Sequence, residues 1–393
     1  MTKSYIAGVG MTPFVKPGQN ESFDLMASAA IRAAIADAGI DFEVIEEATA
    51  GWVMGDSCCG QEALYRVGLT GIPVHNVENA CASGSSAVYL ARRAIESGEA
   101  DVALAFGFEQ MPSGAPPSSY TDRPMYSRLI EATRRIQGWD EKIPIPFQIF
   151  GGAAIELKEK YGVGAEIFAM ISVKARRHAT HNANALFRDP LTVEEVLASK
   201  PVFGPLTRFQ CSPPTCGAAA VVIVSERFKR RAGLSQSILI AGQGLATDTE
   251  SSFDLGSMIK VSGHDVSRRA ADIAYERAGI GPEDVDVAEL HDCFSSNELV
   301  CYEALRLAEE GGSARMVLDG DNTYGGKVVV NPSGGLLAKG HPIGATGVAQ
   351  MVELVWQLRG TAGLRQVPGA RVGLQHNIGL GSACAVGIYR SPR

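Results

Sequence analysis

The stretch "CASGSSAVYLARRAIESG", residues 81–98, has a counterpart far along the chain in "HPIGATGVAQMVELVWQLRG", residues 341–360. Both stretches begin with small residues and continue with apolar residues at helical spacing. Each is followed by a run typical of a buried strand, "DVALAFGFE" at 101–109 and "RVGLQHNIG" at 371–379. The chain therefore contains one structural unit twice.

The duplication extends to the segments that precede these stretches. Residues 23–56 and 266–294 each contain an apolar pattern at helical spacing, an Ala-Gly-Ile sequence and a strand-like run. Gly39 and Gly279 stand where glycine commonly ends a helix. Strand–helix alternation that occurs twice predicts an α/β fold of two duplicated halves, each a mixed sheet covered by helices.

A different kind of sequence separates the two units, from Met111 to about Gln210. It is rich in Pro and Arg and contains the helical patterns "GAAIELKEKYG" and "AMISVKARRHATHNA". Because structureless loops of this length are rare, we expect a loop domain over the active face. The predicted boundaries are an N-terminal half of residues 1–112 plus 211–236, a loop domain of 113–210 and a C-terminal half of 237–393.

Composition narrows the class of protein. The 393 residues carry a net charge of −7 without a dominant basic stripe, which argues against nucleic-acid binding. The 8 cysteines lack the dense spacing of a secreted scaffold and the CxxC pattern of a zinc site. No segment reaches about 18 apolar residues, and no signal-peptide pattern is found. We predict a cytoplasmic protein without a membrane span.

Cys81 and His341 occupy equivalent positions at predicted helix starts, so a pseudo-twofold axis would bring them face to face. The N–H groups of a helix start stabilise a thiolate, which predicts a lowered pKa for Cys81. A neutral imidazole within reach of a thiol is the general-base arrangement for forming a thioester. For Cys81 alone, a cysteine that merely packs is the alternative. The mirrored His341 favours catalysis.

The motif "ELHDCFSSNE", residues 289–298, places His291, Asp292 and Cys293 at the end of a predicted strand. One Cys and one His without a second pair make a poor zinc cage, so no metal site is predicted. Cys293 could instead shuttle protons, because a thiol pKa lies close to the working pH. Asp292 is expected to cap or orient rather than react.

The motif "LQHNIGLGSAC", residues 374–384, ends the last predicted strand with His376 and Asn377 before a glycine-rich turn. The N–H groups of that turn could form an oxyanion hole. Cys384 follows within an apolar run, which favours a packing role.

Four motifs together resemble a thiolase of the sterol carrier protein X type: "NACASGSSA", "HDCFSSNE", "NPSGGLLAKGHPIGATG" and "LQHNIGLGSA". The resemblance covers essentially the whole chain. It implies the thiolase fold, with a layered α-β-α-β-α core and an inserted loop domain, and the activity of an acetyl-CoA C-acyltransferase. It also implies a homodimer or a dimer of dimers.

The resemblance implies a role for each site residue. Cys81 would be the nucleophile that becomes acylated, and His341 would activate it and hold the thioester oxygen. Cys293 would be the second, acid/base cysteine. His291 stands where most thiolases carry an Asn that fixes an oxyanion-hole water, and His376 stands in place of their usual second cysteine.

The resemblance also implies how the substrate is held. The backbone N–H groups of Cys81 and of Gly379 or Gly381 would form a second oxyanion hole. The loop domain would grip coenzyme A, which is a substrate; no tightly bound cofactor is implied. The candidate contacts for coenzyme A are Ser212, Lys174, Arg176 and Arg177. A solvated basic helix face explains the last three equally well. Cys216 replaces an Asp that is frequent in the family, which leaves the capping of that turn open.

The predicted function is thiolytic cleavage of 3-oxoacyl-CoA to acyl-CoA plus acetyl-CoA or propionyl-CoA, reversible as a Claisen condensation. One alternative is a condensing or aldol-cleaving enzyme on the thiolase scaffold. Another is a non-catalytic protein that binds acyl-CoA or lipid. Cys81 and Cys293 favour the thiolase, because simple binding needs no paired thiols. The sequence leaves open the acyl chain length, branching, a steroid preference and the direction of the reaction.

Overall fold

A computed structural model describes residues 2–113, 122, 124–254, 256–381 and 383–392 of the chain. The first half alternates strands and helices as its sequence pattern predicts. Its elements before the inserted region are β1 (Ser4–Met11), α1 (Phe23–Ala38), β2 (Glu47–Gly51), α2 (Cys59–Tyr65), β3 (Val74–Val77), α3 (Ser83–Ser97) and β4 (Val102–Glu109).

Helices dominate the inserted region, and both helical patterns predicted there are present as α5 and α6. Its elements are α4 (Ser127–Gln137), α5 (Ile145–Tyr161), α6 (Ala165–Ala179), α7 (Val193–Leu197) and the short strands β5 (Pro201–Phe203) and β6 (Leu206–Thr207). The chain then returns to the first half with β7 (Gly217–Ser225) and α8 (Glu226–Arg231). Residues 114–121 and 123 of the predicted loop domain lie outside the described residues.

The second half repeats the alternation of the first. Its elements are β8 (Ile238–Ala246), α9 (Ser251–Asp254), α10 (Met258–Val261), α11 (His264–Ala278), β9 (Val287–Glu289), α12 (Ser295–Ala304), α13 (Ser313–Leu318), β10 (Val329–Val330), α14 (Gly335–Ala338), α15 (Ile343–Arg359), β11 (Val372–Gly379) and β12 (Ala383–Arg390).

Ten strands form one mixed sheet in the order β10-β9-β11-β12-β8-β1-β7-β4-β2-β3. Counted outward from the centre, the halves run β1-β7-β4-β2-β3 and β8-β12-β11-β9-β10, which is the same order twice. In both halves the first two pairings are antiparallel and the last two are parallel. The halves join where Tyr5 pairs with Leu239 and Ile6 with Ile238. The predicted duplication is confirmed.

Helices α3 and α15 pack against each other and against strands of both halves, while α1 and α11 cover the first and second half respectively. This arrangement gives the predicted α-β-α-β-α layers. Helix α15 approaches both α3 and β4 very closely. A Cβ on Gly84 of α3 would lie 2.6 Å from the carbonyl oxygen of Gly344 in α15, and a Cβ on Gly107 of β4 would lie 2.2 Å from the same oxygen. Glycine is therefore required where the two halves cross, beside both Cys81 and His341.

Each outer helix ends at its predicted glycine. Gly39 after α1 has φ 65° and Gly279 after α11 has φ 64°. This left-handed backbone lets the glycine N–H bond back to carbonyls of the last turn, which ends the helix.

The inserted helices share a hydrophobic core with the second half. Phe150 of α5 and Phe168 of α6 belong to the same buried cluster as Leu299 of α12 and Leu336 of α14. No helix among the described residues has the length and apolar character needed to cross a membrane.

Candidate active site

Three segments bring a thiol and two imidazoles together. Cys81 lies just before α3, His291 follows β9, and His341 lies just before α15. The sulfur and one nitrogen of each ring lie within 4.8 Å of one another. The two rings are T-shaped, with centroids 4.9 Å apart. A set of this composition could also hold a metal ion.

The Cys81 thiol is held at a strained turn. Ala80 before it has φ 46°, a left-handed backbone that residues with side chains seldom adopt. Although Cys81 keeps some solvent contact, the surrounding protein raises its pKa to about 12, a shift that the backbone N–H of Leu380 opposes and the charge of Glu109 increases. The predicted lowering of this pKa is therefore wrong, because desolvation outweighs the N–H groups of the helix start.

The hydrogen bonds of His341 fix which ring nitrogen carries its proton. The carbonyl of Pro342 can only accept, so the Thr346 hydroxyl donates to it at 2.9 Å. The Thr346 hydroxyl has only one hydrogen, so its oxygen accepts from Nδ1–H of His341, at 2.7 Å. Nε2 keeps its lone pair and has no hydrogen-bond partner among the described residues. Burial lowers the pKa of His341 to about 3, so the ring is a neutral base.

Cys293 is a buried thiol beside the same cluster. Its pKa is raised well above the usual value, first by burial and then by the Cys81 thiol. The N–H of Ser212, a predicted coenzyme A contact, donates to the Cys293 carbonyl at 2.8 Å. A thiol that stays protonated at neutral pH can donate a proton, which fits the predicted acid/base role.

Asn377, rather than His376, contacts the ring of His291. Asn377 Nδ2 lies 2.9 Å from His291 Nδ1. His376 bonds elsewhere: its Nε2 lies 2.9 Å from the Ser267 hydroxyl, and its Nδ1 accepts from the backbone N–H of His291 at 3.4 Å. Neighbouring side chains in a strand point to opposite faces, so the two residues cannot share one position. The structure thus contradicts the expectation that His376 takes the second cysteine's place beside Cys81.

The turn after β11 approaches Cys81 closely. A Cβ on Gly379 would lie 2.1 Å from the carbonyl oxygen of Asn79, so only glycine fits there. Gly381 has φ 92°, which also favours glycine. The N–H that bonds to the Cys81 thiol belongs to Leu380, between these glycines. An oxyanion hole at Gly379 or Gly381 remains a prediction.

Glu109, at the end of β4, is a site residue that sequence reasoning missed. Its carboxylate accepts from the N–H groups of Val53, Met54 and Gly344 at 3.2, 2.9 and 2.9 Å. Burial raises its pKa to about 7. The available signal was the acidic residue that ends the otherwise apolar strand "VALAFGFE".

The basic residues of α6 do not form a solvated face. Lys174 is buried and pairs with the Glu298 carboxylate. Arg176 is also buried, and its guanidinium carbon lies 4.3 Å from the centroid of the Phe187 ring. Only Arg177 of the three is exposed. This placement contradicts phosphate contacts by Lys174 and Arg176, because neither cation is available to a ligand in solvent.

A half-buried thiol, a neutral imidazole and a second thiol, placed between duplicated α/β halves, are the groups that a cysteine-dependent acyltransferase needs. The chain belongs to the thiolase family. It matches the family model "Thiolase, N-terminal domain" over residues 4–134 and "Thiolase C-terminal domain-like" over residues 248–389.

Similarities to individual proteins support this membership. "Sterol carrier protein 2" of Homo sapiens is 48% identical over 395 residues, which cover 99% of this chain and 72% of that protein. "Acetyl-CoA acetyltransferase" of Methanothermobacter thermautotrophicus is 35% identical, over 98% of each chain. The solved structure of an "Ltp2-ChsH2(DUF35) aldolase" matches with a TM-score of 0.84 and 23% identity, over 100% of this chain and 98% of that chain. At that identity the likeness shows the fold.

Proposed function

We propose that this thiolase cleaves 3-oxoacyl-CoA to a shortened acyl-CoA and acetyl-CoA or propionyl-CoA. The observation that carries the proposal is the Cys81 thiol grouped with the free Nε2 of His341 and the ring of His291. A protonated nucleophile beside a neutral base suits proton transfer during attack, rather than a thiolate formed beforehand. The similarity to an acetyl-CoA acetyltransferase supports the same reaction class.

In the first half-reaction, Cys81 Sγ attacks the 3-oxo carbon while His341 Nε2 takes the thiol proton. The C2–C3 bond then breaks, which leaves an acyl thioester on Cys81 and the enolate of acetyl-CoA. Cys293 donates its proton to the enolate carbon and becomes a thiolate. Hydrogen bonds to the enolate oxygen are expected to supply the largest catalytic contribution.

In the second half-reaction, coenzyme A enters and gives its thiol proton to the Cys293 thiolate. The coenzyme A sulfur attacks the thioester carbon, and the proton held by His341 returns to Cys81 as acyl-CoA leaves. Both cysteines and the base regain their starting states, so the cycle closes. In reverse the same steps form a carbon–carbon bond.

Substitution of the two thiols tests the proposal. Cys81→Ala should abolish thiolysis of acetoacetyl-CoA and remove the acyl adduct that mass spectrometry detects. Cys293→Ala should still acylate at Cys81 but lose carbon–carbon cleavage, because the enolate lacks its acid. Circular dichroism checks that both variants fold. Full thiolysis by folded Cys81→Ala would refute the assignment, and full turnover by Cys293→Ala would move the acid role to another group.

Aldol cleavage, the reaction that the sequence analysis left open on this scaffold, is a second candidate. An aldolase would split a 3-hydroxyacyl-CoA without free coenzyme A and without an acyl adduct on Cys81. A panel of straight, branched and sterol side-chain substrates, each as 3-oxo and 3-hydroxy thioester with and without coenzyme A, separates the two reactions. Cleavage that needs coenzyme A favours the thiolase.

We further propose a cytoplasmic homodimer that needs coenzyme A as substrate and no tightly bound cofactor. Dimer formation through the first half is supported by the position of β3, which is an edge strand that pairs with β2 alone among the described strands. Size-exclusion chromatography with light scattering tests the dimer, and a monomer at micromolar concentration would contradict it.

A further inference from the structure

A chain of hydrogen bonds between the two halves ends on the ring of His291. It starts at the main-chain carbonyl of His376, which can only accept. Gln350 Nε2 donates to this carbonyl at 3.0 Å, so Gln350 must present its Oε1 to its other neighbour. Gln375 Nε2 donates to that Oε1 at 2.9 Å. One peptide carbonyl thus orients both glutamine amides.

The donor and acceptor assignments continue from Gln375 to the imidazole of His291. Gln375 Nε2 uses its second hydrogen on Ser85 Oγ, 2.8 Å away. Ser85 therefore donates its single hydrogen to Asn377 Oδ1 at 2.8 Å. Asn377 is left with Nδ2 toward His291 Nδ1, at 2.9 Å. Because Nδ2 is a donor, Nδ1 must accept and the ring proton must reside on Nε2.

Burial keeps these donor and acceptor assignments fixed. All the side chains that form these hydrogen bonds are buried, so bulk water does not compete for their donors and acceptors. Burial also lowers the pKa of His291 well below its usual value, with the neighbouring His341 and His376 rings acting in the same direction. The ring is therefore neutral, and its tautomer decides whether it can donate.

We propose that four side chains form a positioning relay that holds His291 as a neutral Nε2–H donor: Gln350, Gln375, Ser85 and Asn377. The inference rests on the proposed function, in which this N–H would stabilise the enolate oxygen. His341 has the opposite tautomer, with a free Nε2, so one imidazole serves as donor and the other as base. The relay residues act through His291 and are positioning residues.

The relay needs both halves of the molecule. Ser85 lies on α3 of the first half, whereas Gln350 lies on α15 and both Gln375 and Asn377 lie on β11 of the second half. Removal of Ser85 alone would free the Asn377 amide to rotate. The packing of the duplicated halves thus determines the protonation site of a ring in the active site.

Asn377→Asp tests the relay with almost no change in shape. The new carboxylate can still accept from Ser85, but toward His291 it can only accept, so the ring must place a proton on Nδ1. Long-range 15N–1H NMR of enzyme with 15N-labelled histidine reports the protonation of each ring nitrogen, and the chain has 7 histidines to assign. Loss of a signal in His291→Gln assigns the ring.

We expect His291 Nδ1 to be unprotonated in the wild-type enzyme and protonated in Asn377→Asp, while His341 keeps Nδ1–H in both. The kcat of thiolysis should fall on the order of 10²- to 10³-fold, the usual cost of losing one oxyanion donor, with a smaller change in KM. Asn20→Asp adds the same charge at a partly exposed position outside the relay and should alter neither measurement.

Two results would overturn the relay. One is a wild-type His291 with a protonated Nδ1, which remains decisive even if Asn377→Asp does not fold. The other is a folded Asn377→Asp enzyme that loses activity while Nδ1 stays unprotonated, which would make Asn377 merely structural. Failure of the wild-type enzyme to cleave 3-oxoacyl-CoA would refute the proposed function. The NMR spectrum would still show whether the relay fixes the tautomer of His291.

Discussion

At the scale of single residues, the site keeps its reactive groups uncharged until they are needed. Burial keeps Cys81 and Cys293 as thiols and His341 as a neutral imidazole at neutral pH. Proton transfers must therefore accompany bond making and breaking. Two peptide carbonyls, of Pro342 and His376, determine which imidazole can accept a proton and which can donate one.

Thr346→Val tests the assignment of His341 as the base. The variant loses the oxygen that accepts from Nδ1–H, so the ring can move its proton to Nε2 and lose its lone pair toward the site. We expect kcat and the rate of Cys81 acylation to fall by at least about tenfold, within the range of general-base contributions. Stopped-flow acylation with acetoacetyl-CoA measures this rate.

Thr361→Val is the matched control for Thr346→Val. Its hydroxyl also donates to a main-chain carbonyl, that of Trp356, but it lies on an exposed loop after α15. The control should keep the wild-type acylation rate. Equal rates in the two variants would show that the Thr346 bond does not fix the tautomer of His341.

At the scale of elements, paired glycines let each outer helix lie directly on its strand. A Cβ on Gly8 of β1 would lie 2.1 Å from the Ala34 carbonyl oxygen of α1. A Cβ on Gly244 of β8 would lie at the same distance, 2.1 Å, from the Ala270 carbonyl oxygen of α11. The duplicated halves therefore use the same device for helix–strand packing.

Gly244→Ala should destabilise the protein strongly for this reason. The methyl group meets main-chain atoms that cannot move aside, so we expect a loss of about 1–3 kcal/mol or more in the free energy of unfolding. Gly373→Ala on β11 is the control, because its methyl group would meet side-chain atoms of Leu354 and Leu358, the nearest at 3.2 and 3.4 Å, and no main-chain atom among the three nearest. Urea denaturation compares them; equal midpoints would contradict the packing argument.

At the scale of the whole molecule, contacts across the centre unite the two halves. Glu109 of the first half accepts from Gly344 at the start of α15, and Arg359 at the end of α15 donates to Asp37 at 2.7 Å. Both ends of this helix are therefore tied to the other half. Movement between the halves would disturb the cluster of Cys81 and His341.

Glu109→Gln should change how stability depends on pH. Burial raises the pKa of Glu109 from 4.5 to about 7, so between these values the folded chain holds a proton that the unfolded chain has released. Stability must then fall as pH rises through this window. The wild type should lose up to about 3 kcal/mol more than the variant between pH 4.5 and 7. If the free energies of unfolding from urea denaturation change equally with pH in the two proteins, Glu109 does not titrate in this window.

The α/β class and the duplication could be predicted because helical and strand periodicities occur twice in the same order. The layers followed from the family resemblance, and the strand order was not predicted. The grouping of Cys81 and His341 followed from that duplication, whereas the place of His291 in the site followed from the family resemblance. The partners of buried groups could not be predicted, because one sequence does not show what packs on what. Thus Lys174 was a candidate contact for coenzyme A, whereas in the structure it pairs with the buried Glu298 carboxylate.

Local rules failed where the tertiary environment acts against them. The helix-start rule predicted a lowered pKa for Cys81, but it ignores the cost of removing a thiolate from water. The motif around His376 and Asn377 could not indicate which residue faces His291, because that depends on the face of β11. Glu109 received no role because its three N–H partners come from distant segments.

The raised pKa of Cys81 has a consequence for the enzyme between turnovers. Peroxides and alkylating agents attack the thiolate form of cysteine, and this sulfur carries its hydrogen at rest. The idle enzyme should therefore resist oxidative damage. Its reactivity is switched on by the arrival of the right electrophile and stays masked from accidental ones.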